Sequence, residues 1–194
     1  MRKRLASLRR RELAEATFAT MKEVGLKATT VQRVSARAGL APGLVHHYFA
    51  TKSEMVEAAI RLASTEISQE LVRLLETAAG PRQRLDAVVA ANLAPAVFNP
   101  EVTRAWLAFV VEAETNARYA RIVAAIYGRM ASNLRHALRA LVAEGDVDRV
   151  AFGISLMIDG AWMRCAVAGG DIGRAGVLER IRAFIAREVA AVPA

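Results

Sequence analysis

Two short helical segments joined by a three-residue turn, within residues 27–55 (KATTVQRVSARAGLAPGLVHHYFATKSEM), constrain this chain more than any other feature. Thr30 has the side chain of a helix N-cap, and Val31 and Val34 then face inward along a predicted helix over 31–37. Ala38-Gly39-Leu40 makes the turn, with Gly39 supplying the backbone freedom the reversal requires. Pro42 opens a second predicted helix over 42–47, where its missing N–H has no helical acceptor to lose. Such a pair is a helix-turn-helix. Thr51-Lys52-Ser53-Glu54 has capping-box spacing and starts a long helix predicted to reach residue 78.

The remaining punctuation is also helical. A first helix over 8–24, with Leu13, Ala16, Thr17, Met21 and Val24 on one face, is predicted to end at Gly25. Gly80-Pro81, Asn99-Pro100, Glu144-Gly145-Asp146 and Gly169-Gly170 then separate that long helix, reaching 78, and helices predicted over 81–97, 100–114, 117–143, 147–168 and 172–189. The expected architecture is all-α with about nine helices. A three-helix head at 1–55 precedes a larger helical bundle at 56–194.

Composition agrees, since 54% of residues are hydrophobic but only 6% are aromatic, which suits packed helices better than sheets. The single cysteine, Cys165, excludes a disulfide framework and a multi-Cys zinc site. The basic N-terminus has no apolar stretch of the kind a secretory signal needs, so a cytoplasmic protein is expected. Residues 150–170 approach the length of a membrane span. They carry Asp159 and Arg164, whose burial in lipid would be costly, so a buried helix is the better reading and no membrane partner is expected.

Charge is unevenly placed. Residues 1–55 hold eleven Lys and Arg against four Asp and Glu, which supplies seven of the formal net charge of +8. That asymmetry points the N-terminal quarter at a polyanion, with a solubilising surface or an anionic membrane as alternatives. In a helix-turn-helix the second helix enters the major groove and its early residues reach base edges. Pro42, Gly43, His46 and His47 are therefore the candidate groove residues, Gly43 because it has no side chain to hold the helix off the DNA. Thr30, Tyr48 and Lys52 are candidate phosphate contacts, and Arg33 is either a phosphate contact or a solvated surface residue. Arginines 2, 4, 9, 10 and 11 could track the backbone or a minor groove. The adjacent His46 and His47 diverge on a helix and have no third ligand nearby, so no metal site is expected. With no metal cluster, phosphate loop or Ser-His-Asp arrangement, neither catalysis nor a cofactor is expected.

Residues 29–52 fit T-T-x-x-x-[IV]-[AS]-x-x-A-G-[VL]-x-x-G-x-[LIV]-x-x-[YH]-F-x-x-K, and in this they resemble the TetR family of bacterial regulators. The matching residues are Thr29, Thr30, Ala38, Gly39, Gly43, Tyr48, Phe49 and Lys52. Two positions depart from the pattern: Ala41 stands where a capping Ser or Thr is usual, and His46 where Tyr is common. The resemblance implies a repressor that binds double-stranded operator DNA as a homodimer and is released by a small-molecule effector. It implies DNA binding for the head at 1–55, and ligand binding and dimerisation for the bundle at 56–194. A helix apolar on most faces over 147–168 (Ala151, Ile154, Ser155, Ile158, Ala161, Trp162) and one over 172–189 (Val177, Ile181, Phe184, Ile185, Glu188) are the expected four-helix dimer interface.

Leu8 to Leu13, Glu23-Val24-Gly25, His47-Tyr48-Phe49, residues 105–109 and residues 158–164 further resemble the choline-responsive members of that family, which govern conversion of choline to glycine betaine. A quaternary ammonium is held by aromatic faces with a carboxylate nearby, because it donates no strong hydrogen bond. Trp106, Phe109, Tyr127, Asp159 and Trp162 are the candidate effector residues. Two alternatives stay open: tryptophans that are only core, with Asp159 paired to Arg164 or capping a neighbouring helix, and an effector that is another cation, a lipid or an aromatic drug.

Overall fold

The computed structural model describes residues 2–167 and 173–190, all of whose regular structure is helical. The helices are α1 (Arg2–Ala28), α2 (Val31–Arg37), α3 (Pro42–His46), α4 (Lys52–Leu75), α5 (Pro81–Asn92), α6 (Pro100–Glu112), α7 (Ala117–Leu138), α8 (Val147–Val167) and α9 (Arg174–Ala190), with a 3-10 turn at Glu144–Asp146. The expected break at Gly169-Gly170 and the start at Ile172 lie outside the described residues.

Several helix limits differ from those expected. α1 begins six residues before Leu8 and carries a further turn beyond Gly25. Gly25 takes φ 80°, ψ 163°, so it is a kink within the run and not its end. α5 stops at Asn92 where a helix to 97 was expected. Pro95 explains this, because it donates no N–H and pushes Ala94 away from helical geometry. α4, α6 and α7 also end earlier, at Leu75, Glu112 and Leu138.

The chain forms two compact units that do not follow sequence order. One comprises residues 1–65 with 104–123; the other comprises 66–103 with 124–194. In the first, Leu13, Ala16, Val34, Val45, Phe49 and Met55 make the core of the head. In the second, α5, α7, α8 and α9 bury a core that includes Leu85, Leu134, Leu138, Ile154, Ile158, Ile181 and Ile185. α8 with its preceding turn is long and apolar enough to cross a membrane by length and composition. Val150, Ala151, Ile154, Ile158, Ala161 and Cys165 nevertheless pack along one face of it into this protein core.

Candidate DNA interface and effector residues

The head is shaped by local chemistry. Thr30 caps α2 by accepting a hydrogen bond from the Arg33 N–H at 3.2 Å. Val34 is fully buried, and Ser35 is nearly so. Gly39 takes φ 66°, a region that disfavours a side chain. The Leu40 N–H then returns to the Ser35 carbonyl at 2.9 Å, which closes the turn. Ala41 gives α3 no side-chain cap, in keeping with its departure from the family pattern, and Pro42 occupies the first turn.

α3 attaches to the head through one fully buried residue, Val45. Pro42, Gly43, Leu44, His46 and His47 are all exposed. A Cβ built on Gly43 meets nothing within 4 Å, so the space above its backbone is open. Phe49 anchors the end of the motif, with the Arg10 guanidinium 4.3 Å from its ring centroid and hydrogen-bonded to the Tyr48 carbonyl. Thr51 and Glu54 form the expected cap. Thr51 accepts from the Glu54 N–H at 3.2 Å, and the Glu54 carboxylate accepts from the Ala50 N–H at 2.9 Å.

The basic residues of the head fall into distinct groups. Arg9 pairs with Glu12 at 2.7 Å and Arg11 with Glu15 at 2.9 Å, both on the open surface. Exchanging such pairs for phosphates costs little. Arg37 is bound to Glu23 and to the Thr20 hydroxyl. Arg33 is exposed on α2. Lys52 is turned inward, its ammonium donating to the carbonyls of Leu26 (2.9 Å) and Lys27 (3.1 Å). It thereby closes the C-terminal end of α1, where a cation is favoured, and keeps one further N–H. Burial lowers its pKa, and Glu112 acts in the opposite sense.

Around Lys52 lies a polar cavity of about 290 Å³, lined among others by Ser53, Glu112, Thr115, Asn116 and Tyr119. Arg118 spans the same region, binding Glu57 at 2.7 Å and Glu54 at 3.6 Å. Glu57 is pushed up by burial but held below the usual carboxylate range by hydrogen bonds from Arg118 and Arg61. Sequence reasoning did not bring Arg118 together with Glu54 and Glu57. The partners are about 60 positions apart, and no local pattern links them.

The five effector candidates are divided between the units. In the first, Trp106 stacks on Phe109 with centroids 5.9 Å apart, and Phe109 meets Tyr119 at 4.5 Å. Burial raises the Tyr119 pKa, and its hydroxyl shares a hydrogen bond with Ser53. Phe109 is fully buried, and Trp106 is half-buried. In the second unit, Tyr127 and Trp162 are half-buried against the core. The Trp162 indole N–H donates to the Asn92 carbonyl at 2.9 Å. Asp159 is half-buried, and burial raises its carboxyl to about 6. Arg164 lies about 140° around the helix from it, out of pairing reach.

α8 corrects the residues expected to form an interface. Ala151, Ile154, Ile158 and Ala161 are buried in the chain's own core, as are Ile181 and Ile185 of α9. The uncovered apolar residues of α8 are Phe152 (65% exposed), Leu156 (54%), Met163 (54%) and Val167 (77%).

A helix-turn-helix head with its second helix facing outward, on a chain whose remaining described elements are also helical, defines a DNA-binding regulator. The sequence model of bacterial regulatory proteins of the tetR family matches residues 13–59, and that of the BetI-type transcriptional repressor C-terminal domain matches residues 81–190. The HTH-type transcriptional regulator BetI of Brucella suis biovar 1 (strain 1330) is 32% identical over 186 residues, covering 96% of this chain and 94% of its own. A candidate transcriptional regulator of Pseudomonas aeruginosa PAO1 superposes with TM-score 0.83 at 26% identity, covering 95% and 92% of the two chains. A candidate regulator from Saccharomonospora viridis, solved in complex with choline, superposes with TM-score 0.82 at 20% identity, covering 93% and 96%. The chain belongs to the TetR family of DNA-binding transcriptional repressors, with a BetI-type C-terminal domain. It is a regulator and not an enzyme.

Proposed function

We propose that the chain is a cytoplasmic homodimeric repressor, released from its operator by choline or a closely related quaternary ammonium, and that it governs synthesis of glycine betaine from choline. The outward face of α3 carries the DNA-binding part of this reading. Pro42, Gly43, His46 and His47 meet base edges. Thr30, Arg33 and Tyr48 meet phosphates, and Lys52 adds its remaining N–H while holding the end of α1. Homodimerisation is supported by the four large apolar side chains left uncovered on α8. A second copy offers the same stripe and carries a second head, as a two-fold operator requires.

The effector reading rests on Trp106 and Phe109, whose aromatic surface suits a cation that donates no hydrogen bond. They share a compact unit with the head. Tyr119 connects Phe109 to Ser53, one residue from Lys52. A ligand that favours one arrangement of this cluster thereby biases the start of α4, and DNA binding weakens ligand binding in return. Tyr127, Asp159 and Trp162 complete the set of residues to be tested. The choline complex of a structural neighbour and the BetI relatives support the choice of choline.

The test is binding of the purified protein to DNA upstream of its own gene, with and without choline. Specific binding that choline weakens, and that Trp106→Ala makes insensitive to choline, supports the full reading. Specific binding that choline leaves unchanged discards choline and keeps the repressor.

A further inference from the structure

Two unlike charges line the polar cavity at the start of α4 without pairing directly. The Lys52 ammonium gives two N–H groups to the carbonyls of Leu26 and Lys27, and its third is open in the free protein. Among the described residues, the Glu112 carboxylate has no hydrogen bond or ion pair, although it attracts Lys52 across the cavity. A helix end reinforces each charge. Lys52 opens α4 and Glu112 closes α6, so the positive end of one helix dipole and the negative end of the other meet at this cavity. The other charges nearby are committed or peripheral. Arg118 binds Glu57 and Glu54, and Arg61 binds Glu57. Lys27 is an exposed lining residue, and Glu114 is exposed and outside the lining.

Much of the remaining lining is neutral and already linked. The Asn116 amide donates to the Ser53 hydroxyl at 3.4 Å, and Ser53 shares a hydrogen bond with the Tyr119 hydroxyl. The Asn116 side-chain oxygen accepts from the Arg118 and Tyr119 N–H groups at 3.1 and 3.3 Å, which caps α7. These bonds fix the wall and leave the two charges with binding capacity to spare. At about 290 Å³ the cavity has the size of a small-metabolite site and not of one for a lipid. A simple cation would answer Glu112 but face Lys52, and a simple anion would do the reverse. A molecule carrying both charges answers both. Its carboxylate meets the open N–H of Lys52, and its cationic nitrogen meets the Glu112 carboxylate beside the Tyr119 ring.

We propose that this cavity binds a small zwitterion, a molecule with a carboxylate and a cationic nitrogen a few bonds apart. The site lies within one compact unit and does not depend on the choline reading. The test is isothermal titration calorimetry of the full-length, DNA-free protein, in which no phosphate shares the Lys52 N–H. Two probes represent the class: glycine betaine, with a quaternary nitrogen, and L-alanine, with a primary one. Acetate keeps only the anionic half and L-alaninamide only the cationic half. At least one zwitterion binds at millimolar concentration or tighter, and each half binds at least about tenfold more weakly, having lost one charge-assisted contact. Glu112→Gln preserves side-chain size, holds the melting temperature to within a few degrees, and weakens the zwitterion about tenfold or more while acetate binding does not fall. Neither zwitterion binding at millimolar concentration, or equal binding by the wild type and Glu112→Gln, overturns the site. Binding that survives Glu112→Gln but is lost in Trp106→Ala places the ligand at the aromatic pair, which overturns the cavity site and leaves the effector reading standing.

Discussion

α3 and α8 both leave a face uncovered, and the chemistry of the two faces is opposite. α3 shows solvent a proline, a bare glycine backbone and two imidazoles around one anchored valine, and Leu44 is its only large apolar side chain in the open. α8 shows Phe152, Leu156, Met163 and Val167. Water solvates the first face well and the second poorly. α3 can therefore wait uncovered for a hydrated, charged partner, whereas α8 gains from being covered permanently.

Breaking the apolar face should have the largest effect. Leu156→Glu puts a charge into the stripe without touching the buried residues of α8. It should yield a monomer by sedimentation and cost operator affinity on the order of 10³-fold, because each head then reads half a site. A Leu156→Glu protein that stays dimeric would show that α8 is not the covered face.

The polar face should fail more gently and more locally. Gly43→Val adds bulk where the free protein has open space. The melting temperature should hold to within a few degrees while operator affinity falls about 10- to 100-fold, as loss of a close groove contact predicts. A melting temperature that collapses instead would show α3 to be packed and not presented. Arg33→Ala, beside that face, should weaken all DNA sequences alike by a few-fold and reduce the salt slope by about one. A loss confined to the operator would move Arg33 from the phosphates to the bases.

The smallest effect tests the half-buried carboxylate of α8. The Asp159 carboxyl sits above its unfolded value of 3.8, at about 6 in the fold. The native state therefore binds more protons than the unfolded chain between these values, and stability falls as pH rises through that window and levels off above it. Asp159→Asn should remove the slope and raise the melting temperature at pH 7.5 by about 2–4 °C. A slope that survives the substitution would assign it to another group.

These two faces also mark how far the sequence could be read. The cap at Thr30, the turn at Gly39, the proline at 42 and the capping box at Thr51 all act within five residues, so the head was legible in detail. The apolar character of α8 was legible too, but its direction was not. Sequence pattern singled out Ala151, Ile154, Ile158 and Ala161 for the interface. The fold uses these for its own core and leaves out Phe152 and Leu156, because which side of an all-round apolar helix faces inward depends on the helices it meets. Lys52 shows the same limit at the DNA interface. Its place in the motif suggests a phosphate contact, yet its ammonium is bonded to carbonyls 25 and 26 residues earlier.

By itself, the sequence determined the helical class, the helix-turn-helix and the family, since caps, turns and motif spacing are short-range and the backbone obeys them wherever the chain goes. Tertiary structure alone decided that residues 104–123 pack with the head, that Arg118 closes on Glu54 and Glu57, and that Asp159 is half-buried while Phe152, Leu156, Met163 and Val167 of the same helix stay exposed. Those outcomes depend on which distant surfaces exclude water together, a property of the assembled fold that no local spacing encodes.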